Sequence, residues 1–451
     1  MNPQAESTIA QADMPIAWYR SISLAGWKAL LGSFLGWVCD GYETYTLVLV
    51  AAVAVQQLVP KQQLSQTPLL VSGLLAVTLI GWATGGVVGG VLADYLGRRR
   101  AMMISILWYS LFAGLTAFSP NYILFLVFRF LTGLGMGAEW GPGSAMVSEH
   151  WPDKARARGA GVLQSGLGFG FLIASGLWLV VQASSPSAWR YMFLVGVLPA
   201  IILLYIRSQI PEPEMWEEAN RQRKQIRAKH ERGEQIPAEE KALSSFTLSY
   251  ILATPELRRR VLLLICLSLS TVIGWWAVST WIPQYAAVLG AHTGQKPALF
   301  ATQTALVYNL GGIAGYLALA PMSDVWGRKL SIWIYLFCSL ITTAALFLLV
   351  HTPGLLLIVA AVNGFFTLGQ WTWLAVYPAE LFPTAVRGTA ISLVFNISRY
   401  IAALGTLFAG FLIVQLGGIA VAATIVSLIY VLGLIVTPFV GPETKGRPLP
   451  A

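Results

Sequence analysis

Charge is scarce in this chain. Asp, Glu, Lys and Arg make up 11% of 451 residues, against about a quarter in soluble proteins, while 56% are apolar and the mean hydropathy is +0.66. That excludes a water-soluble globular domain and a disordered chain. Cysteine is nearly missing too, and Cys39, Cys266 and Cys338 all lie inside apolar stretches, which excludes a disulfide framework. The four histidines, His150, His230, His292 and His351, show no metal-ligand spacing, and no Ser/His/Asp ordering is evident. No Gly-rich segment precedes the Lys-Ser/Thr of a nucleotide site. Neither an enzyme nor a metal or other cofactor is expected.

What the chain has is apolar length. A bilayer core of about 30 Å needs about 20 helical residues, and twelve runs of that order begin near Trp27, Pro68, Ala101, Tyr122, Arg158, Trp189, Val261, Pro297, Leu330, Leu355, Ile391 and Ile419. Lipid offers no hydrogen-bond partners and the runs exceed barrel strands, so the expected fold class is an all-α polytopic membrane protein of twelve transmembrane helices in two six-helix halves. The expected layout is a tail over 1–26, a bundle over 27–207, a connector over 208–260, a second bundle over 261–440 and a tail over 441–451. The segment before Trp27, with Ser7, Gln11, Asp13 and Arg20, lacks the order of a signal peptide, so the first span is expected to persist. Sorted by loop parity, 24 of the 29 Lys and Arg fall on the N-terminal side; Lys61, Arg190 and Lys296 fall on the other, and Arg129 and Arg399 lie inside spans. Both termini are then cytoplasmic and the net charge of +9 is topological, not a sign of nucleic-acid binding. The short first outer loop, 57–67, and the intramembrane position of the only Asn-x-Ser/Thr, at Asn396, favour a bacterial inner membrane.

An internal repeat spans the halves. Asp94, Gly97 and Arg98 recur at one constant offset as Asp324, Gly327 and Arg328, and Glu149, Pro152 and Arg156 recur, at an offset one longer, as Glu380, Pro383 and Arg387. Parallel repeats of six spans are one plan of secondary transporters, with substrate held between the halves. The loop Gly90-Val-Leu-Ala-Asp94-Tyr-Leu-Gly97-Arg-Arg-Arg100 resembles the loop motif of the major facilitator superfamily. Arg129 with Gly133, Gly135 and Gly137, Glu380-Leu-Phe-Pro383 and Pro442-Glu-Thr-Lys-Gly446 resemble its sugar-porter and organic-ion branch. Sugar porters carry paired glutamines in span seven; here Ile273-Gly-Trp275-Trp276 stands in that region, which argues against a hexose.

Three carboxylates, Asp40, Glu43 and Glu139, lie deep in apolar runs, where a charge costs at least a few kcal/mol and marks an ion, proton or substrate path. Glu43 can meet Arg129, its only cation of like depth in the first half. An Arg partner keeps a carboxylate ionised whereas burial favours its neutral form, and switching between the two is a proton-coupling device. The resemblance implies the same: Gly41-Tyr42-Glu43 is similar to the Gly-Tyr-Asp of proton-coupled sugar porters, whose acid pairs with the span-four Arg. Gly137-Ala-Glu139-Trp140-Gly141 is similar to bacterial proton symporters of organic acids, of the aromatic-acid or sialate type. The competing reading of Asp40 is a hydrogen-bonded residue fixing span one against span four or five.

Arg399, about nine residues into span eleven within Asn396-Ile-Ser398-Arg399-Tyr400, is a permanent cation able to bind a carboxylate bidentately. Organic-anion transporters carry an Arg at the matching place; the competing reading is a structural hydrogen bond at a helix break. Gln164 matches the span-five Gln of sugar porters that contacts substrate, or bridges helices. Tyr308, Asn309, Gln370, Trp371, Tyr377, Asn396, Trp275 and Trp276 complete the expected lining, with core packing as the alternative. Trp18, Trp27, Trp151, Trp189 and Trp216, near span ends, are expected at the membrane interface. Asp94, Arg98, Glu149, Arg156, Asp324, Arg328, Glu380 and Arg387 are expected as exposed ion pairs closing the cytoplasmic side, or as folding contacts. The connector is expected to be a solvated helix. The function expected is proton-coupled symport of a small organic anion by a monomer; the alternatives are a proton-coupled sugar or polyol porter and a proton-driven drug exporter.

Overall fold

A computed structural model describes residues 18–182, 184–197, 208–232 and 245–450. The expectations for 1–17, for the end of the sixth span and for the middle of the connector lie outside the described residues. Among the described residues every regular element is helical: α1 Leu24–Leu58, α2 Thr67–Leu96, α3 Arg98–Ala117, α4 Tyr122–His150, α5 Arg156–Val181, α6 Ala188–Val195, α7 Glu214–Glu231, α8 Thr247–Ala253, α9 Pro255–His292, α10 Pro297–Trp326, α11 Arg328–Leu349, α12 Pro353–Gly369, α13 Thr372–Leu381, α14 Arg387–Gln415, α15 Ile419–Ser427 and α16 Ile429–Val436. Eleven candidate spans are long and apolar enough to cross a bilayer among those residues; α6 is not among them, and it is the described part of the expected sixth span. Span ten bends between α12 and α13 at Gln370-Trp371, and span twelve between α15 and α16 at Leu428. Prolines 68, 255, 297 and 353 sit in first turns, where the missing N–H is no loss. Pro255 starts α9 ahead of the apolar run at Val261, so Arg258, Arg259 and Arg260 belong to the helix.

Helices in lipid associate by close packing rather than by hiding apolar surface, so small residues mark their contacts. A Cβ on Gly85 of α2 would lie 1.9 Å from the Leu134 carbonyl of α4, and one on Gly137 of α4 would lie 1.9 Å from the Trp82 carbonyl. The second half repeats this: Gly315 of α10 would meet the Phe365 carbonyl at 1.9 Å, and Gly364 of α12 the Tyr308 carbonyl at 2.0 Å. Gly85 and Gly315 are separated by the same offset as Asp94 and Asp324, so the sequence repeat is a repeat of helix contacts. Across the halves α2 packs on α14, where a Cβ on Gly86 would strike Asn396 at 2.1 Å, and α5 packs on α10, where one on Gly161 would meet Ala320 at 2.9 Å.

Of the tryptophans expected at the interface, Trp18 and Trp27 are exposed, but Trp151, Trp189 and Trp216 are buried. Their indole N–H groups find acceptors inside the protein: Trp151 donates to the Gly26 carbonyl at 3.0 Å, Trp189 to Gln57 at 2.8 Å and Trp216 to the Asp94 carbonyl at 3.1 Å. Position near a span end does not say which way a ring faces.

Gly364→Ala is expected to lower the melting temperature of the purified protein by the equivalent of about 1–3 kcal/mol, the usual cost of overpacking. Gly354→Ala, with nothing within 4 Å of the new methyl, should leave it unchanged; equal melting of the two variants would contradict the packing account.

Candidate functional site

At the end of the bundle that holds α7 and the C-terminal residues, the repeated charges meet across the halves. Arg98 at the start of α3 grips Glu149 with Nη2 at 2.9 Å and Nε at 3.2 Å, and donates from Nη1 to Asp94 at 3.1 Å. Arg387, from the other half, donates to the same Glu149 at 2.8 Å. Asp94 accepts the Gly388 and Thr389 amides at 3.0 and 2.9 Å and the Thr389 hydroxyl at 2.6 Å, so a carboxylate of one half caps the N-terminus of α14 in the other. In the second copy Arg328 grips Glu380 at 2.9 and 3.1 Å and Asp324 at 2.8 Å, while Arg156 lies 3.7 Å from Glu380. These pairs are not exposed: Asp94, Arg98, Glu149 and Arg387 have side chains 0% exposed. Pairing across the interface, rather than along one helix, is what removes them from water.

The connector helix α7 is not wholly solvated. Its Trp216 and Ile226 are buried, and Arg223 bridges the halves, donating to the Asp94 carbonyl at 2.7 Å and the Ala385 carbonyl at 3.1 Å.

The repeat extends to a carboxylate that the motif comparison misses. Pro211-Glu212 recurs as Pro442-Glu443, at the offset that relates Glu149 to Glu380. Glu212 accepts the Arg99 amide at 3.3 Å at the start of α3, and Glu443 accepts the Arg328 and Lys329 amides at 2.9 and 3.2 Å at the start of α11. Each carboxylate approaches a glycine whose φ is positive, Gly97 at +99° and Gly327 at +91°, and a Cβ there would strike it at 2.3 and 2.8 Å. Only glycine meets both demands. Burial pushes the Glu443 carboxyl up, but the backbone amides of Arg328, Lys329, Lys445 and Thr444 outweigh it and leave it below the usual range. Burial prevails at Glu212, whose carboxyl is raised.

Midway along the bundle, Glu43 of α1 accepts from Arg129 of α4, with Oε2 3.3 Å from Nη2 and 3.4 Å from Nη1, both side chains buried. Arg399 of α14 is 2% exposed and lies between the halves, its guanidinium carbon 4.6 Å from the ring centre of Trp82 in the first half, and 3.8 and 6.0 Å from those of Phe395 and Trp371 in the second. Its hydrogen bonds, to the Phe395 carbonyl at 2.8 Å and Asn396 Oδ1 at 3.0 Å, both use Nη1. The charge of fully buried Asp40, on α1, acts on it. Beside the guanidinium is a chamber of about 10 Å³ lined by Trp37, Thr44, Trp82, Leu167, Phe171, Trp275, Trp276 and Trp371. The buried indole N–H groups of Trp37, Trp82 and Trp371 have no acceptor among the described residues. A cation ringed by unsatisfied donors is a setting for an acceptor-only group such as a carboxylate, because each buried donor left unpaired costs about 1–3 kcal/mol.

The expected lining divides. Trp275 and Trp276 line both the chamber and an adjoining outer cavity of about 270 Å³, which also takes in Tyr308, Asn309, Tyr45, Phe171, Thr280 and Gln284, while Trp371 lines the chamber but not the outer cavity. Asn396 serves Arg399. Gln164 accepts from Trp140 Nε1 at 2.8 Å, and Trp140 lies flat on Phe395 with ring centres 3.6 Å apart; Gln164 lines neither space. Gln370 is held by Thr271 at 3.3 Å and by the Thr367 carbonyl at 3.1 Å and also lines neither. Tyr377 stands elsewhere altogether: its hydroxyl donates to the Pro442 carbonyl at 2.8 Å at the end that carries the ion pairs, one turn before Glu380 on α13. Glu139 is buried on α4 and lines neither space. Trp37, Trp82 and Phe395 were not foreseen, since nothing in a uniformly apolar helix distinguishes a central ring from a lipid-facing one.

Two helical halves joined through buried charges, with a chamber between them, define a membrane transporter of the two-bundle kind. The chain belongs to the Major Facilitator Superfamily, whose family model matches residues 30–403 and 298–451. It is 30% identical over 393 residues to the gentisate transporter of Corynebacterium glutamicum, covering 86% of this chain and 82% of that one. It is 28% identical over 396 residues to the cis,cis-muconate transport protein of Acinetobacter baylyi, covering 86% and 87%. A structure of the proton:xylose symporter XylE bound to 6-bromo-6-deoxy-D-glucose shares the fold with a TM-score of 0.73 at 19% identity, over 94% of this chain and 97% of that one.

Glu149→Gln is expected to cost about 3–5 kcal/mol of stability, because it strips two buried arginines of their common counter-charge; thermal melting checks it, and a change under about 1 kcal/mol would contradict the geometry. Glu443 has a folded-state pKa below the ordinary glutamate value, so its stabilisation is full above that value and is lost as pH falls through the folded one. Glu443→Gln should therefore lower the melting temperature at pH 7 and make less difference below about pH 4. At Glu212, whose folded pKa is raised, the change to Gln should matter less at pH 7 than at Glu443.

Proposed function

We propose that this chain is a proton-coupled symporter of a small organic anion, a monocarboxylate with an aromatic or hydroxylated body or a sugar acid, acting as a monomer in a bacterial inner membrane with both termini in the cytoplasm. The observation that carries this reading is the setting of Arg399: a buried cation between the halves, caged by aromatic rings whose N–H donors lack acceptors among the described residues. A carboxylate satisfies the guanidinium and the indoles together. The rings offer flat surfaces for a conjugated body. Transport of gentisate and of cis,cis-muconate by relatives agrees with a carboxylate substrate.

The proton role falls to Glu43, with Arg129 as its partner, and to Asp40 and Glu139. A carboxylate against Arg129 is held ionised; when the halves rock and the pair loosens, the same group in an apolar wall takes up a proton. The buried ion pairs around Glu149 and Glu380 close the cytoplasmic side while the outer cavity is present. The positive-inside distribution of Lys and Arg supports that orientation.

The test is the pH of a weakly buffered, de-energised suspension of expressing cells challenged in turn with gentisate, cis,cis-muconate, sialic acid and neutral hexoses. Alkalinisation with carboxylates is expected, absent from vector-only and Glu43→Gln cells. Arg399→Lys should reduce acid uptake about 30-fold or more, since an ammonium cannot replace the bidentate fork. Alkalinisation with hexoses alone would overturn the anion assignment, and acid uptake without alkalinisation would overturn proton coupling.

A further inference from the structure

The interface between the halves holds a third cavity. It encloses about 20 Å³ beside the Glu43–Arg129 pair and is lined also by Leu47, Thr78, Leu79, Trp82 and Met136. Two residues line all three spaces, the outer cavity, the ion-pair pocket and the Arg399 chamber: Thr44 and Trp276. Thr44 is short, and its hydroxyl is tied to the Asp40 carbonyl of its own helix at 2.7 Å. Trp276 is the large one, an indole 7% exposed that stands edge-on to Trp275 with ring centres 4.8 Å apart. Trp82 divides the two small spaces from each other, lying under Arg399 on one side and facing the ion-pair pocket on the other. Trp276 is thus a roof shared by the seat proposed for the carboxylate and the seat proposed for the proton, with the roomier outer cavity above it.

The helix that carries Trp276 is suited to movement at this point. Pro283, two turns further along, removes an N–H from the helical ladder and leaves the outer part of α9 free to bend. Just before Trp276, a Cβ on Gly274 would strike Tyr430 at 2.4 Å, so the helix is held fast against α16 below the indole. A fixed lower part and a bendable upper part set the indole at the boundary, with about 270 Å³ of open space to receive it.

We propose that Trp276 is the coupling residue of this carrier. An acid moving from the outer cavity to Arg399 must displace the indole, and the same displacement opens the Glu43–Arg129 pocket to the water that accompanies it. Anion and proton then gain their seats in one event, and neither seat is open while the roof is down. The inference rests on the symport reading, and it adds a positioning residue that touches both seats without binding a proton.

The test uses the full-length protein in liposomes, with a pH-sensitive dye inside and gentisate as the acid. Wild type is expected to admit protons only when gentisate is present. Trp276→Ala is expected to admit protons without gentisate and to lose the fixed ratio of protons to acid. A second readout does not depend on transport: Thr78→Cys, in the wall of the ion-pair pocket, is challenged from outside with a membrane-impermeant thiol reagent, the protein without that substitution giving the background from native cysteines. Labelling is expected to be slow with Trp or Phe at 276 and faster by about tenfold or more with Ala, because local opening governs access. Unchanged labelling together with gentisate-dependent proton entry in Trp276→Ala would overturn the proposal. If wild type moves gentisate without protons, the symport reading fails, and the labelling ratio still decides whether Trp276 is the roof. If Trp276→Ala does not insert, the labelling ratio between Trp276→Leu and Trp276→Phe decides in its place.

Discussion

A charge taken out of water into an apolar bundle must find a counter-charge or a full set of hydrogen bonds, and the rest of this structure depends on where those partners come from. At one end of the molecule they come from the opposite half: Arg387 reaches Glu149, and Asp94 caps the helix that Arg387 begins. The two bundles are therefore joined by interactions that neither could satisfy alone. Near the middle, Glu43 and Arg129 are paired within one half, and Arg399 is met by aromatic faces, its own helix and the charge of Asp40 from the other half. One end of the interface is tied across the halves by buried ion pairs, and at the centre the buried indole N–H groups of Trp37, Trp82 and Trp371 have no acceptor among the described residues.

That contrast suits the energetics of the two-state carrier proposed above. The buried network at the ion-pair end is strong enough to hold the halves together, since breaking one such pair costs about 3–5 kcal/mol. It is also discrete, because each carboxylate is gripped in a fixed geometry that cannot slide by small steps. Glycines let α2 approach both α4 and α14 to backbone contact, so the helix that carries Asp94 is rigid within its half and closely matched to the other. A ligand that supplies an acceptor to the unpaired indoles beside Arg399 would change that balance at the centre of the interface.

Much of this was legible in the residues. The apolar runs gave the helices, because their length answers to a bilayer, and the constant offset between the paired motifs gave the two halves. Glu43 and Arg129 could be paired because they are the ionisable residues of like depth, and the same spacing rule would have exposed Glu212 beside Glu443 had it been carried past the sixth span. Other features could not be read. A membrane helix is apolar on every side, so no periodicity separates core from lipid, and Trp82 and Trp37 carried no sign that they face the centre. Tyr377, by contrast, stands three residues before Glu380 on the same helix, so the expected position of Glu380 at the cytoplasmic end already placed it near the ion pairs rather than the chamber. The burial of the repeated ion pairs was hidden as well, since the groups that cover Asp94 and Glu149 come from the opposite half of the chain.

The central claim is that Arg399 and its ring of indoles form a seat for a carboxylate. Its most direct test is calorimetric binding of gentisate and of gentisate methyl ester to the purified protein, compared between wild type and Arg399→Gln. The acid should bind wild type and the ester should not, and the acid should lose its advantage in Arg399→Gln. Equal binding of acid and ester by wild type would contradict the claim, because a seat built from a guanidinium and unpaired donors must distinguish them.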